Sequence, residues 1–151
     1  MTSSSAPRSA AATDRSGSRI DHLNIGVPDL AAAVGFYEPV LAAIGIVKML
    51  EIPPAPEDDD RPAMTGFGRA DVKPYFWLVD SGTVGTDVHL AFTVDSREQV
   101  HVFHDAAVAA GATVLHAPAV HPEYHADYYG GFVRDLDGIN LEAVCHHPEP
   151  R

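Results

Sequence analysis

Residues 22–37, HLNIGVPDLAAAVGFY, are matched further along the chain by residues 89–104, HLAFTVDSREQVHVFH. After each histidine, leucine, a second apolar residue, valine and phenylalanine recur at the same places. Each copy then runs into a small-residue segment that ends in glycine, Gly45 or Gly111, and into another apolar stretch. The repeat is too long for a solenoid, so it predicts one supersecondary unit that is present twice and folded face to face.

The start of each copy has the alternation of a β-strand. In the first copy Leu23, Ile25 and Val27 share an apolar face, which leaves His22 on the opposite face. The second copy repeats this pattern and places His89 in the same way. Both histidines are therefore predicted at the start of a strand, on the face that is not apolar.

A helix is predicted after each of these strands. Asp29 is a suitable N-cap for the first helix, which Pro39 is expected to kink or end. Ser96 and Gln99 have the spacing of a capping box at the start of the second. Further strands are predicted at 46–52, 63–68, 75–79, 113–115, 131–134 and 139–145, with Asp137-Gly138 as the turn of the last hairpin.

These elements predict an α+β fold of two βαβββ modules related by a pseudo-two-fold axis. The domain is expected to span residues 20–147, with modules at about 20–80 and 87–147. Apart from Met1, residues 1–19 carry no large apolar side chain and are predicted to form a disordered tail. Residues 148–151 are predicted to form a short second tail.

The composition excludes several classes of partner. The net charge is −11 with no basic stripe, which disfavours nucleic acid. An acidic run at 57–60 is predicted to be a solvated loop. No stretch is apolar enough to span a membrane, and Cys145 is the single cysteine. We therefore expect a cytoplasmic protein without disulfides, in which Cys145 is a small buried residue.

Three side chains form a candidate metal site. On the last predicted strand, Glu142 lies on the face opposite Leu141 and Ala143, where a carboxylate must be paired, solvated or bound to a metal. The pseudo-two-fold would bring His22 and His89 to one axis. Two imidazoles and one carboxylate leave coordination positions open, a set that suits Fe(II), with Mn, Ni and Zn as alternatives.

The two motifs together resemble a known family. The opening stretch at 22–37 and the closing stretch at 135–142, DLDGINLE, are similar to the vicinal oxygen chelate superfamily, which includes glyoxalase I, bleomycin-resistance proteins and extradiol dioxygenases. The resemblance implies an open, cup-like mixed sheet with the helices outside. It also implies that His22, His89 and Glu142 are the ligands of one divalent metal.

The same resemblance bears on the chemistry. The fourth ligand position of the family falls near Phe76 or Trp77, and neither side chain binds a metal. Glyoxalase I has a carboxylate there as ligand and base, whereas extradiol dioxygenases use three ligands. We therefore expect a metal-dependent enzyme acting on a small molecule through neighbouring oxygens, by dioxygenase or by isomerase or lyase chemistry. The alternative is a metal-free, bleomycin-resistance-like protein that sequesters a small molecule.

Further residues are assigned roles by this resemblance. His125, Tyr128 and Tyr129 are candidates for acid–base catalysis near the rim of the cup, and Asn24 and Trp77 are expected to line the pocket. Single-domain relatives often pair, so a homodimer is expected. The cup could close within one chain or across two. Outside this set, His101 and His104 are predicted to be solvated on the second helix, and His146 to be a tail residue.

Overall fold

Each half of the protein contains one strand, one helix and three further strands. The computed structural model describes residues 20–56 and 60–149. The first module consists of β1 (Leu23–Val27), α1 (Leu30–Ala42), β2 (Val47–Ile52), β3 (Met64–Gly68) and β4 (Phe76–Asp80). The second consists of β5 (His89–Thr93), α2 (Arg97–Ala109), β6 (Thr113–Val120), β7 (Tyr129–Arg134) and β8 (Asn140–Cys145). The predicted tail at 1–19, residues 57–59 of the acidic run and residues 150–151 lie outside the described residues.

The two modules have the same sheet topology. The first sheet has the strand order β1-β4-β3-β2 and the second has β5-β8-β7-β6. In each, the first strand pairs parallel with the last, and the other pairs are antiparallel. The predicted α+β fold of two βαβββ modules is confirmed. The strands form two four-stranded mixed sheets.

Each sheet has a helix face and an open face. On the helix face of the first sheet, Ile25, Val27 and Leu78 are 6%, 0% and 0% exposed. They pack into one core with Phe36 and Leu41 of α1. The alternate residues point to the opposite, open face, so a side chain's parity in its strand decides whether it supports the fold or is presented on the open face.

The helix starts agree with the sequence pattern. Asp29 Oδ1 accepts from the backbone N–H of Ala32 at 2.9 Å, and Ser96 Oγ accepts from Gln99 N–H at 3.2 Å. Both predicted N-caps are therefore confirmed. Pro39 lies inside α1, which continues to Ala42.

A buried hydrogen bond joins the two modules. The hydroxyl of Tyr37, on α1, donates to Asp135 Oδ2 at 2.6 Å. Asp135 Oδ1 accepts from the backbone N–H groups of Asp137 and Ile139 at 2.9 and 2.8 Å, which holds the turn between β7 and β8. Burial and the nearby Asp135 carboxylate raise the pKa of the Tyr37 hydroxyl. One carboxylate thus fixes both the last hairpin and its contact with the first module.

Strand β6 is longer than predicted. The sequence predicts a strand over 113–115, yet the strand continues past Pro118, which has no backbone donor, to Val120. It lies at the edge of its sheet and its pairing with β7 shifts register on either side of His116. An edge strand with bulges tolerates proline. Neither described helix is long and apolar enough to cross a membrane.

Candidate functional site

In each sheet, four residues that are cross-strand neighbours form a row, and the two rows occupy equivalent positions in the two modules. The row in the first sheet is Asn24, Trp77, Gly66 and Leu50. The row in the second sheet is Ala91, Glu142, Phe132 and His116. In this correspondence Trp77 of β4 is the counterpart of Glu142 of β8. The two modules therefore share a backbone plan and differ in chemistry at this position.

The carboxylate of Glu142 is buried and has a partner on each oxygen. Glu142 is 1% exposed. His89 Nε2 lies 3.1 Å from Oε2, and since a carboxylate only accepts, this nitrogen donates. The Tyr128 hydroxyl donates to Oε1. A Cβ on Gly130 would lie 2.8 Å from that same oxygen, so only glycine leaves room for it. The structure thus brings three predicted site residues, Glu142, His89 and Tyr128, together.

The environment of Tyr128 keeps its hydroxyl neutral. Burial raises its pKa, and the hydrogen bond to Glu142 and the charge of that carboxylate raise it further. The group is therefore a proton donor to Glu142 at ordinary pH. A raised pKa makes proton release harder, so this environment favours a role for the hydroxyl in hydrogen bonding over one in acid–base catalysis.

His22 lies apart from this cluster. It directly precedes β1, its side chain is 57% exposed, and its Nδ1 is 2.7 Å from Asp21 Oδ2. Asp21 also pairs with Lys73, and the hydrogen bonds from His22 and Lys73 lower the pKa of the Asp21 carboxyl. Within residues 20–56 and 60–149, no three His, Cys, Asp or Glu side chains are grouped closely enough to hold a metal ion. One chain thus presents two of the three predicted ligands as a pair, and the third separately.

The three acid–base candidates fall in two places. His125 packs its ring against Tyr128 at 5.5 Å between centroids, and its Nε2 is 2.9 Å from His146 Nδ1. Tyr129 has the opposite parity and lies on the helix face. There its hydroxyl is 2.7 Å from His101 Nε2, and Arg97 stacks on its ring at 4.8 Å. Tyr128 and His125 therefore adjoin the candidate site, and Tyr129 does not.

The open face of the second sheet holds aromatic residues that the sequence did not single out. Phe132 stacks on His89 with 6.1 Å between ring centroids and contacts His121 at 5.2 Å. His121 in turn is 3.1 Å from Glu123 Oε1 through Nδ1. Pairing β7 with β8 in register would have identified Phe132 as the neighbour of Glu142. His121 lies outside the strands, where no periodicity marks it.

Two predictions about histidines were wrong. His146 stacks on His125 with centroids 5.1 Å apart, so it belongs to the site region and not to a tail. His104 is 8% exposed, and burial lowers its pKa, because it lies close to Pro118 and Gly131 beneath the second sheet. Cys145 is buried, as predicted.

A hollow of about 490 Å³ lies over the first sheet. Asn24 and Trp77, the predicted pocket residues, both line it, together with His22. A larger cavity of about 910 Å³ lies between the start of α1 and strands β2 and β3, and none of the predicted site residues lines it. The smaller hollow is the one lined by both predicted pocket residues, and a third cavity of about 610 Å³ is lined by Asn24 together with His89.

The family follows from a comparison with family models. Residues 19–143 match the model of the Glyoxalase/Bleomycin resistance protein/Dioxygenase superfamily. The chain belongs to this superfamily. None of the curated proteins is significantly similar to it.

Solved structures share the superfamily fold. A glyoxalase/bleomycin resistance protein from Albidiferax ferrireducens T118 has 24% identity and a TM-score of 0.69, over 85% of this chain and 99% of the other. Lactoylglutathione lyase from Agrobacterium tumefaciens has 22% identity and a TM-score of 0.59, over 87% and 96%. TioX from Micromonospora sp. ML1 has 21% identity and a TM-score of 0.58, over 87% and 100%. At these identities the likeness concerns the fold alone.

Replacing Tyr128 by phenylalanine tests the pairing of Glu142 in this superfamily member. We expect Tyr128→Phe to lower the free energy of unfolding by about 1–3 kcal/mol, because Glu142 Oε1 loses its donor while it stays buried. Urea denaturation of metal-free protein measures this. Tyr124→Phe is the matched control, since Tyr124 is 62% exposed and should change stability little. Equal stability of Tyr128→Phe and wild type would contradict the pairing.

Proposed function

We propose that the protein is a divalent-metal-dependent enzyme that acts on a small molecule through neighbouring oxygen atoms. The observation that carries this proposal is Glu142, buried in the middle of the second sheet with His89 Nε2 at 3.1 Å from one carboxylate oxygen. Imidazole nitrogen and carboxylate oxygen are the donors that Fe(II), Mn, Ni and Zn accept. Members of the superfamily commonly bind a divalent metal, which supports the assignment.

One chain does not bring all three predicted metal ligands together. His89 and Glu142 supply two donors from one chain, while His22 lies over the first sheet. We therefore propose a homodimer in which His22 of one protomer joins His89 and Glu142 of the other. Leu50, 47% exposed in the row that contains Trp77, is an apolar side chain that such a partner could cover. Dimers are frequent in the superfamily.

The bound metal would act as a Lewis acid on a carbonyl, enol or catechol, with Fe(II) favoured for dioxygenase chemistry and a redox-inert ion for isomerase or lyase chemistry. Two residues of the chain, Tyr128 and His125, carry protons near the proposed metal position. Tyr128 keeps its proton on Oη and directs it at Glu142. The backbone N–H of Asp127 donates to His125 Nδ1, so in the neutral ring the proton lies on Nε2, toward His146. Phe132 and His121 pack against each other on the neighbouring open face.

Metal content tests this proposal. Elemental analysis of tag-free protein, purified anaerobically, should give about one metal per chain in wild type and almost none in Glu142→Ala, because each missing donor removes a large part of a three-ligand site. Asp105→Ala is the control, since that carboxylate is 83% exposed on α2. Wild-type protein that remains metal-free after reconstitution with each of the four metals would refute the enzyme as proposed.

A second candidate function is metal-free binding of a small molecule. The observation in its favour is Trp77, which stands where the second sheet has Glu142 and lines a hollow with Leu50, Ile52 and Met64. Such a site would sequester a ligand without transforming it. The metal analysis separates the two candidates, because sequestration needs no metal.

A further inference from the structure

Trp77 lies across the open face of the first sheet, over a glycine. A Cβ added to Gly66 would lie 2.8, 2.8 and 2.9 Å from three atoms of the indole six-membered ring. Any side chain at Gly66 would therefore push the ring away from the strand. Because Trp77 is half-buried and lines the hollow, one side of its ring is supported by the sheet and the other remains accessible.

The hollow next to this ring has the size and lining of a small-molecule site. Its volume of about 490 Å³ is within the range typical of ligand pockets. Leu50, Ile52, Met64 and Pro74 make the wall around the indole apolar. An aromatic ring that stacks on Trp77 would gain dispersion and quadrupole contacts that a saturated ring of the same size gains only in part.

The polar end of the hollow contains one lysine, which is paired with a carboxylate. Lys73 lines it beside Asp21 and His22. Both members of the Lys73–Asp21 pair are largely exposed, 57% and 63%, so water screens the pair and Lys73 can exchange it for a ligand oxygen. Lys73 is therefore the group at this end that can pair with an anionic oxygen of a ligand in place of Asp21.

We propose that this hollow binds a planar aromatic acid, with the ring stacked on Trp77 and the carboxylate or phenolate oxygen directed to Lys73. The inference deepens the proposed function and rests on it, since it names the substrate class for the same site. His22, a proposed metal ligand, lines the same hollow. The ring of the substrate then lies on Trp77, at the position where the family has a fourth metal ligand and this chain has none.

Binding can be tested without any metal. Because Trp77 is the single tryptophan of the chain, the protein has one indole N–H signal in a proton–nitrogen NMR spectrum. Metal-free, full-length protein is titrated with 2-naphthoate and with decahydronaphthalene-2-carboxylate, which has the same charge and carbon skeleton without a planar ring. We expect a saturable shift of the indole signal with 2-naphthoate, at about tenfold higher affinity than with the saturated acid. Equal affinities, or a shift that does not saturate, would overturn the proposal.

Three variants locate the site. Gly66→Ala should weaken 2-naphthoate binding about tenfold because it displaces the ring, whereas Gly35→Ala, which meets nothing within 4 Å, should not. Trp77→Leu, measured by calorimetry, should abolish the preference for the planar acid, and it serves as well if Gly66→Ala does not fold. Lys73→Met should weaken 2-naphthoate about threefold and leave the neutral 2-naphthalenemethanol unchanged. Unchanged 2-naphthoate binding in both Gly66→Ala and Trp77→Leu would refute the stacking site.

The result of the 2-naphthoate titration does not depend on the result of the metal analysis. If 2-naphthoate binds as expected but wild-type protein holds no metal, the stacking site stands and the enzyme proposal fails. If metal binds but the planar preference is absent, the enzyme proposal stands and the substrate class is wrong.

Discussion

Mixed dimers of His22→Ala and Glu142→Ala chains should bind about one metal per dimer, although neither variant binds metal by itself. In such a dimer the Glu142→Ala chain supplies an intact His22, and the His22→Ala chain supplies an intact His89 and Glu142. One of the two sites is then complete, and the other lacks both residues. The reason to expect this is the separation, within one chain, of His22 from the His89–Glu142 pair.

The experiment needs two tags and a matched control. The chains are co-expressed with different affinity tags, the mixed dimer is isolated by successive purification on both, and metal is measured after reconstitution. His89→Ala combined with Glu142→Ala is the control. Those two residues come from the same sheet of one protomer, so neither chain of that dimer offers an intact pair and no site is restored. Metal in the control dimer would contradict the assignment of the pair.

The alternative arrangement gives a different result. If the cup closes within one chain, each site needs its three ligands from the same polypeptide. The mixed dimer would then stay as metal-free as its parents, while wild type binds metal. That result would be consistent with the three ligands but would refute their distribution over two protomers.

Strand alternation explains why part of this site could be predicted from the sequence. The alternation of Leu141, Glu142 and Ala143 sets the face on which Glu142 lies, and the repeat sets the matching position of His89. Hydrogen-bonded pairing of β5 with β8 then brings the two side chains together. The position of His22 relative to them depends on how the two sheets pack, and alternation within a strand carries no information about that.

Tyr129 shows a second limit. The sequence predicts a strand that starts at Gly131. The strand begins at Tyr129, which pairs with Cys145. Neighbouring residues of a strand point to opposite faces, so Tyr128, just before it, reaches Glu142 while Tyr129 contacts α2. Because the predicted strand started two residues too late, the sequence did not show that Tyr128 and Tyr129 point to opposite faces.

His104 illustrates the same problem on a helix. It follows Phe103, a fully buried residue, and helical periodicity leaves positions beside the apolar stripe ambiguous. The burial of His104 depends on Pro118 and on Gly131, which has no side chain to fill the space. These residues are distant in sequence, and a single helix pattern does not reveal them.

Replacing Asp135 should cause a large loss of stability. Asp135→Ala is expected to lower the free energy of unfolding by about 3–5 kcal/mol, because it removes the acceptor of a buried tyrosine and of two backbone N–H groups at once. Tyr37→Phe removes one of these bonds and should cost about 1–3 kcal/mol. Asp71→Ala is the control, since its side chain is 71% exposed. Urea denaturation near pH 7 compares the variants with wild type.

The pH dependence separates this contact from simple loss of packing. Since the fold raises the pKa of Tyr37 above its ordinary value of 10.0, the neutral hydroxyl is favoured in the folded protein. The stability it contributes is fully present below about pH 10, where the unfolded chain also keeps the proton, and it is lost as the pH rises further because only the unfolded tyrosine ionises. Wild type should therefore lose stability above pH 10 more steeply than Tyr37→Phe, measured by urea midpoints between pH 9 and 11. Parallel curves for the two proteins would mean that Tyr37 stabilises the fold by its ring alone, and that Asp135 acts only on its own hairpin.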